Sequence, residues 1–188
     1  MKIVAVLGSP RPQSNSSALA HKFLNTAREQ GAEIKIYPLN QMEYKGCQAC
    51  RACKINSEAC VQKDDLAEVL DAVKAADVLV LASPVYFGDV SGQMKCFIDR
   101  TYSYVSADFT TRLAAGKKAV IILVQANPDE REFSDIFPRY ERFLKSEGFE
   151  EVALLRGVGA WEAGDIEQQT AVMDRAAALA REMVQSAR

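Results

Sequence analysis

Histidine and tryptophan occur once each in the 188 residues. The histidine, His21, falls inside a helical pattern, where a lone imidazole is ordinarily a surface or packing residue. Neither sign of charge dominates. The formal net charge is −2, which gives no ground for expecting nucleic acid as a partner. No apolar run approaches the roughly 20 residues of a membrane span, and the apolar start at residues 1–7 is too short for a secretory leader. These absences point to a cytoplasmic protein with no membrane partner. Internal repeats, low-complexity tracts and a dividing linker are also missing. So are two common phosphate loops: no second glycine is followed by Lys-Ser/Thr, and there is no G-x-G-x-x-G.

What is present is an ordinary globular balance, 48% apolar and 26% charged, in a chain long enough for one domain with a substantial core. The organising stretch is residues 3–17, IVAVLGSPRPQSNSS. Ile3 to Leu7 read as a buried strand that Gly8 ends. A helix pattern begins near Ser16, with Leu19, Phe23, Leu24 and Ala27 at helical spacing, and Gly31 stops it. The loop between carries Ser9, Arg11, Ser14, Asn15, Ser16 and Ser17. Free N–H groups and the positive end of a helix dipole meet there, which suits a terminal monophosphate. A plain capped turn stiffened by Pro10 and Pro12 is the competing reading.

Along the rest of the chain, residues 33–37 read as a second strand. A helix starts at Asp64-Asp65 with Leu66, Val69, Leu70 and Val73 on one face. Residues 77–83, DVLVLAS, form a strand apolar on both faces, hence part of a parallel sheet. The loop 84–91 follows, and Ser91 caps a helix reaching about Tyr104, with Cys96 on its inward side as a small core residue. Residues 118–124 and 152–155 give two more strands. Between them a helix over about 133–147 either starts at Pro138 or is kinked by it. After the last strand comes a glycine-rich loop, 157–164, with Trp161. Asp165 then opens a final helix to near Ser186. Five strands alternating with helices make a doubly wound α/β sheet. Ligands in such sheets bind at the carboxyl ends of the strands. The loops there offer hydroxyls at one point and the aromatic surface of Tyr86 and Phe87 beside Gly88 at another. Together they describe a site for a flat heteroaromatic ligand ending in phosphate, as FMN is. An aromatic loop packed on its own sheet is the alternative.

Four of the five cysteines, Cys47, Cys50, Cys53 and Cys60, fall within fourteen residues. In a reducing compartment such a cluster suggests metal or redox chemistry before disulfides. Three readings stay open: an iron–sulfur cluster, free or redox-labile thiols, and zinc. Lys45, Arg51, Lys54 and Lys63 surround the thiols. They would either lower the thiol pKa values or form a solvated loop surface.

Four segments carry a family likeness: GSPRPQSNSSAL at 8–19, YKGCQACRAC at 44–53, CVQKDDL at 60–66 and ADVLVLASPVYFGDVSGQMKCFIDR at 76–100. The chain resembles the flavodoxin-like NAD(P)H-dependent FMN reductase superfamily, and within it the iron–sulfur flavoprotein branch. The likeness extends through GVGAWEAGDI at 157–166. It implies a three-layer, five-stranded parallel sheet in the order 2-1-3-4-5, read here as a single FMN-binding domain over 1–188 with a cysteine-rich insertion at about 45–63. By position, Ser9, Arg11, Ser14, Asn15 and Ser16 should hold the phosphate. Pro84, Val85, Tyr86, Phe87 and Gly88 should border the isoalloxazine ring, with Gln125, Ala126 and Asn127 at its other edge. Cys47, Cys50, Cys53 and Cys60 match the motif that holds a [4Fe–4S] cluster. The family also implies homodimers or homotetramers.

The function expected on this reading is an FMN-dependent oxidoreductase. It takes electrons from NAD(P)H or ferredoxin and passes them to a small-molecule or protein acceptor. The alternative is an iron–sulfur flavoprotein that relays electrons without a small-molecule substrate of its own. No side chain is assigned as a catalytic acid or base, because the redox chemistry belongs to the flavin.

Overall fold

Short apolar runs covered on both faces dictate the architecture. In the computed structural model, which describes residues 1–185, the elements follow in this order: β1 (Lys2–Leu7), α1 (Asn15–Glu29), β2 (Glu33–Pro38), α2 (Ala52–Ile55), α3 (Leu66–Ala75), β3 (Val78–Tyr86), β4 (Asp89–Val90), α4 (Gly92–Arg100), β5 (Lys118–Val124), α5 (Ile136–Glu147), β6 (Glu151–Gly157) and α6 (Thr170–Gln185). The strands β2-β1-β3-β5-β6 are hydrogen-bonded in that order and run parallel. This is the expected 2-1-3-4-5 order, with the two-residue β4 added as an antiparallel partner of the end of β3.

Side-chain alternation divides the core. Ile3, Ala5 and Leu7 of β1 face α1 and α6, packing with Phe23, Leu24 and Met183. Val4 and Val6 face the other way, toward Leu70, Met94, Phe97 and Leu144 of α3, α4 and α5. The result is three layers with helices on both faces.

Helix ends follow local chemistry. Ser14 is the N-cap of α1, accepting the N–H of Ser17 at 3.1 Å. Beyond α1, Gly31 takes the left-handed φ of +92° that stops a helix cheaply. Pro138 is the third residue of α5, where no intrahelical donor is lost, so the helix starts just ahead of it without a kink.

Three boundaries differ from the sequence reading. Pro84, Val85 and Tyr86 are strand, not loop: β3 runs on through them, with Pro84 opposite Val124. Phe87 and Gly88 then form a two-residue hairpin turn with φ of +48° and +77°, the geometry a tight hairpin requires. The helix capped by Ser91 ends at Arg100, and a 3-10 turn covers Thr101–Tyr104. Asp165 opens a 3-10 turn, Asp165–Gln168, and α6 begins only at Thr170. The Asp165 carboxylate instead accepts the N–H groups of Trp161 and Glu162 at 2.9 and 2.7 Å, which turns the preceding loop. The expected helix end near Ser186 lies outside the described residues.

Candidate functional site

The carboxyl ends of β1, β3 and β5 meet the start of α1 at a cavity of about 210 Å3. Its lining combines Ser9, Arg11, Ser14, Asn15 and Ser16 with Pro84, Val85, Tyr86 and Ala126. Thus the two loops read separately from the sequence face one space. Phe87, Gly88, Gln125 and Asn127 are not in the lining. Phe87 is fully exposed at the hairpin tip, and Gly88 lies over the Phe133 ring. The N–H groups of Asn15 and Ser16 stand at the first two positions of α1, ahead of any intrahelical acceptor. Ser14 Oγ lies 2.8 Å from Ser17 Oγ, and the Arg11 N–H donates to Ser9 Oγ at 3.2 Å. Donors, hydroxyls and a dipole terminus therefore converge at one mouth, a fit for an anion.

Below this mouth the backbone is tightly set. Ser91 Oγ donates to the Gly8 carbonyl at 2.6 Å, and Ser83 Oγ accepts the Ser91 N–H at 2.9 Å. A Cβ on Gly8 would meet Met94 Cβ at 2.8 Å and Ser91 Oγ at 3.0 Å. Gly8→Ala is therefore expected to cost about 1–3 kcal/mol through overpacking. Urea unfolding would read this as a lower midpoint with an unchanged slope.

Several side chains serve the walls rather than the space. Asn15 Nδ2 donates to the carbonyls of Ala160 and Glu162 at 3.3 and 2.8 Å, and its Oδ1 accepts the Ile166 N–H at 3.2 Å. Its side chain is thus committed to the loop after β6. Gln125 is buried and turned into its own loop: Nε2 donates to the carbonyls of Asn127 and Asp129, while Oε1 accepts from Arg156 at 2.5 Å. The cavity lining missed in the sequence is Gln13, Val124, Ala160, Trp161 and Ala163. A signal for three of them was available, since loop 157–164 also leaves the carboxyl end of a strand and carries the single Trp. His21 is exposed on α1 beside this region, lining an open groove with Lys22 and Asn25.

The cysteine segment builds a second cavity, of about 290 Å3, at the far end of α4. Cys47, Cys50, Cys53 and Cys60 all line it, together with Asp99, Arg100, Tyr102 and Ser103. Ala49 and Arg51 adopt left-handed φ of +52° and +59°, alternating with the thiols through the Cys47–Cys53 spacing. All four thiols are free. Among the described residues, no three of His, Cys, Asp and Glu stand close enough to hold a metal ion. Zinc bound by thiolates at about 2.3 Å would keep them within about 4.6 Å of one another. The thiols thus share a volume rather than a point.

Of the surrounding basic residues, Lys54 turns from the thiols. It donates to the carbonyls of Tyr102 and Val105 and sits 3.7 Å over the Tyr102 ring. Arg112 donates to the Cys53 carbonyl at 2.9 Å. The cation in contact with a thiol is Arg100, wholly buried, whose Nε–H donates to Cys60 Sγ at 3.1 Å. Its Nη1 and Nη2 reach Asp64 at 2.7 and 3.0 Å. Burial pushes the Asp64 carboxyl up, but the hydrogen bonds from Arg100 and the Lys45 N–H outweigh it and hold it below its ordinary value. Cys96, expected in the core, is only half-buried and packs over Gly46, whose missing Cβ would stand 3.3 Å from its sulfur.

The residue after Arg100, Thr101, contacts a buried acid. Glu147 is 2% exposed, with Oε1 accepting from Thr101 Oγ1 at 2.6 Å and Oε2 without a partner among the described residues. Burial raises its pKa to about 8, against the opposing hydrogen bond from Thr101 and the charge of Lys54.

Residues 1–130 match the sequence profile of NADPH-dependent FMN reductases. An iron–sulfur flavoprotein of Archaeoglobus fulgidus is 33% identical over 167 residues, covering 88% of this chain and 73% of that protein. One from Methanocaldococcus jannaschii is 41% identical over 101 residues, covering 54% of this chain and 52% of that protein, so the match spans about half of that relative's length. In three dimensions the chain is similar to an NAD(P)H:quinone oxidoreductase from Methanothermobacter marburgensis. The TM-score is 0.75 at 17% identity, with 97% of this chain and 96% of that one covered, a likeness of fold. No helix among the described residues is long and apolar enough to cross a membrane.

Proposed function

Because the chain belongs to the NADPH-dependent FMN reductase family, in its iron–sulfur flavoprotein branch, we propose that it is an FMN-dependent oxidoreductase. It takes electrons from NAD(P)H or ferredoxin and passes them to a small-molecule or protein acceptor. The observation that carries this reading is the single cavity where the hydroxyl-rich start of α1 meets the carboxyl ends of β3 and β5. Ser9, Arg11, Ser14, Ser16 and the free N–H groups of α1 would hold the phosphate. Pro84, Val85, Tyr86, Ala126 and Trp161 would border the ring. Phe87 and Gly88 would shape its edge through the hairpin, and Gln125 and Asn127 would do so through the loop they fold. Bound FMN supplies the redox chemistry, accepting a hydride or single electrons.

The cysteine cavity favours a further element. Four soft thiolate donors lining one cavity, in a chain whose relatives are iron–sulfur flavoproteins, support a [4Fe–4S] cluster held by Cys47, Cys50, Cys53 and Cys60. If that cluster is the redox partner of the flavin, the protein is an electron carrier without its own small substrate. We read residues 1–188 as one flavin-binding domain carrying this insertion at about 45–63, assembled as a homodimer or homotetramer. A cytoplasmic location fits thiols that must stay reduced.

Protein purified without oxygen should contain about one FMN per chain, with about four iron and four sulfide, and should oxidise NAD(P)H with a quinone or free flavin. Flavin without iron would leave a simple reductase. Iron-loaded protein that exchanges electrons with ferredoxin alone would favour the carrier. Protein that retains no flavin and binds none on titration would end the reading.

A further inference from the structure

Of the four clustered cysteines, Cys60 is the one whose sulfur receives a side-chain hydrogen bond among the described residues. The donor is unusual. Arg100 has no exposed side-chain surface, and burying a guanidinium is costly unless nearly every donor is used. Asp64 takes the two Nη ends as a fork, and Nη1 also reaches the Lys45 carbonyl at 2.8 Å. Those contacts alone would latch Lys45, before the cysteine loop, and Asp64, ahead of α3, to the end of α4. The Nε–H adds nothing to that latch. It is directed at a sulfur, and the plane fixed by Asp64 keeps it there.

We propose that Arg100 is a positioning residue for the cysteine-held cluster, its Nε–H fixing the sulfur of Cys60 and raising the reduction potential of the group that sulfur binds. This rests on the cluster reading above. Reduction adds one negative charge to the cluster. A donor on a ligand sulfur, carried by a buried cation, stabilises the more negative state, so the potential rises with it. The proton stays on Arg100 throughout. Asp64 acts on the sulfur only through the guanidinium it orients.

The test compares wild type with Arg100→Lys, both purified without oxygen, by potentiometric titration of the cluster signal in electron paramagnetic resonance. The lysine keeps a positive charge but has no Nε–H to direct at the sulfur while its neighbour groups hold Asp64. The variant should shift the oxidised-to-reduced ratio at a fixed potential at least tenfold toward oxidised, equivalent to about 59 mV for one electron. Wild type reconstituted in D2O should also show shifted iron–thiolate stretching bands in its resonance Raman spectrum. An iron-loaded variant with an unchanged potential, or wild-type bands unmoved by D2O, overturns the inference. If the variant fails to fold or to load iron, the D2O comparison on wild type decides alone. Wild type without iron removes the cluster reading and this inference with it.

Discussion

Glu147→Gln should abolish a fall in stability that the wild-type protein undergoes as pH rises from about 4.5 to 8. A free glutamate titrates near 4.3, while Glu147 in the fold is pushed to about 8 by burial. Below the lower value both states are protonated and the group contributes no pH dependence. Between the two values the unfolded chain ionises and the folded one does not, so each pH unit favours unfolding by at most about 1.4 kcal/mol. Above the upper value both are ionised and the slope ends. Glutamine copies the neutral acid, and its carbonyl can still accept from Thr101. The variant should gain about 2–4 kcal/mol over wild type at pH 8 and little at pH 4.5. Urea unfolding of both proteins across that range gives the comparison. Parallel profiles would mean that Glu147 titrates in the fold as it does in the unfolded chain, and would overturn this expectation.

Asn15→Ala should weaken FMN and riboflavin by a similar factor, about tenfold or more. The side chain joins the start of α1 to loop 160–166 by three hydrogen bonds across some 150 residues of sequence. Each is worth about 1 kcal/mol net, and more where its removal leaves a buried partner unmet. Losing them should destabilise the fold by about 2–3 kcal/mol and release the wall that carries Ala160 and Trp161. That wall would border the ring, which both flavins share. Arg11→Ala, in contrast, should weaken FMN markedly more than riboflavin: only FMN has the phosphate, and the wall loses just the single exposed bond from Arg11 Nη1 to the Trp161 carbonyl at 3.2 Å. Fluorescence titration with the two flavins separates the roles. An Asn15 variant that lost FMN affinity alone would return its side chain to the phosphate.

The same residue marks where the sequence stops being legible. A strand, a glycine and a run of hydroxyl and amide residues before a helix identify a dipole terminus, and the sheet order follows from uniformly apolar strands. Whether an amide in that run faces a ligand or a neighbouring loop depends on a segment 145 residues away. Pro84 misled in another way. Proline usually ends a strand, yet near the free end of β3 its missing donor is tolerated, so the strand runs on and the aromatic pair splits between a cavity wall, Tyr86, and a turn, Phe87. Asp165 has the residue type of a helix cap, but its carboxylate is taken by two N–H groups of the loop before it. The cysteine spacing is plain, whereas the partnership of Cys60 and Asp64 with Arg100 joins the connection ahead of α3 to the end of α4, some 40 residues on, and has no local pattern. Glu147 is similarly invisible, because its burial comes from the turn after α4 closing over the end of α5.

The helix α4 has a fixed length for a reason that extends to which sequence changes the fold can absorb. Ser91 anchors one end to Gly8 beside the first cavity, and Arg100 enters the second, nine residues and about 13.5 Å along the axis. One residue inserted or deleted between them would rotate the guanidinium by about 100° around that axis as well as moving it about 1.5 Å. No adjustment of side-chain rotamers recovers such a turn. The nine-step spacing from Ser91 to Arg100 therefore behaves as a phase that must be kept whole.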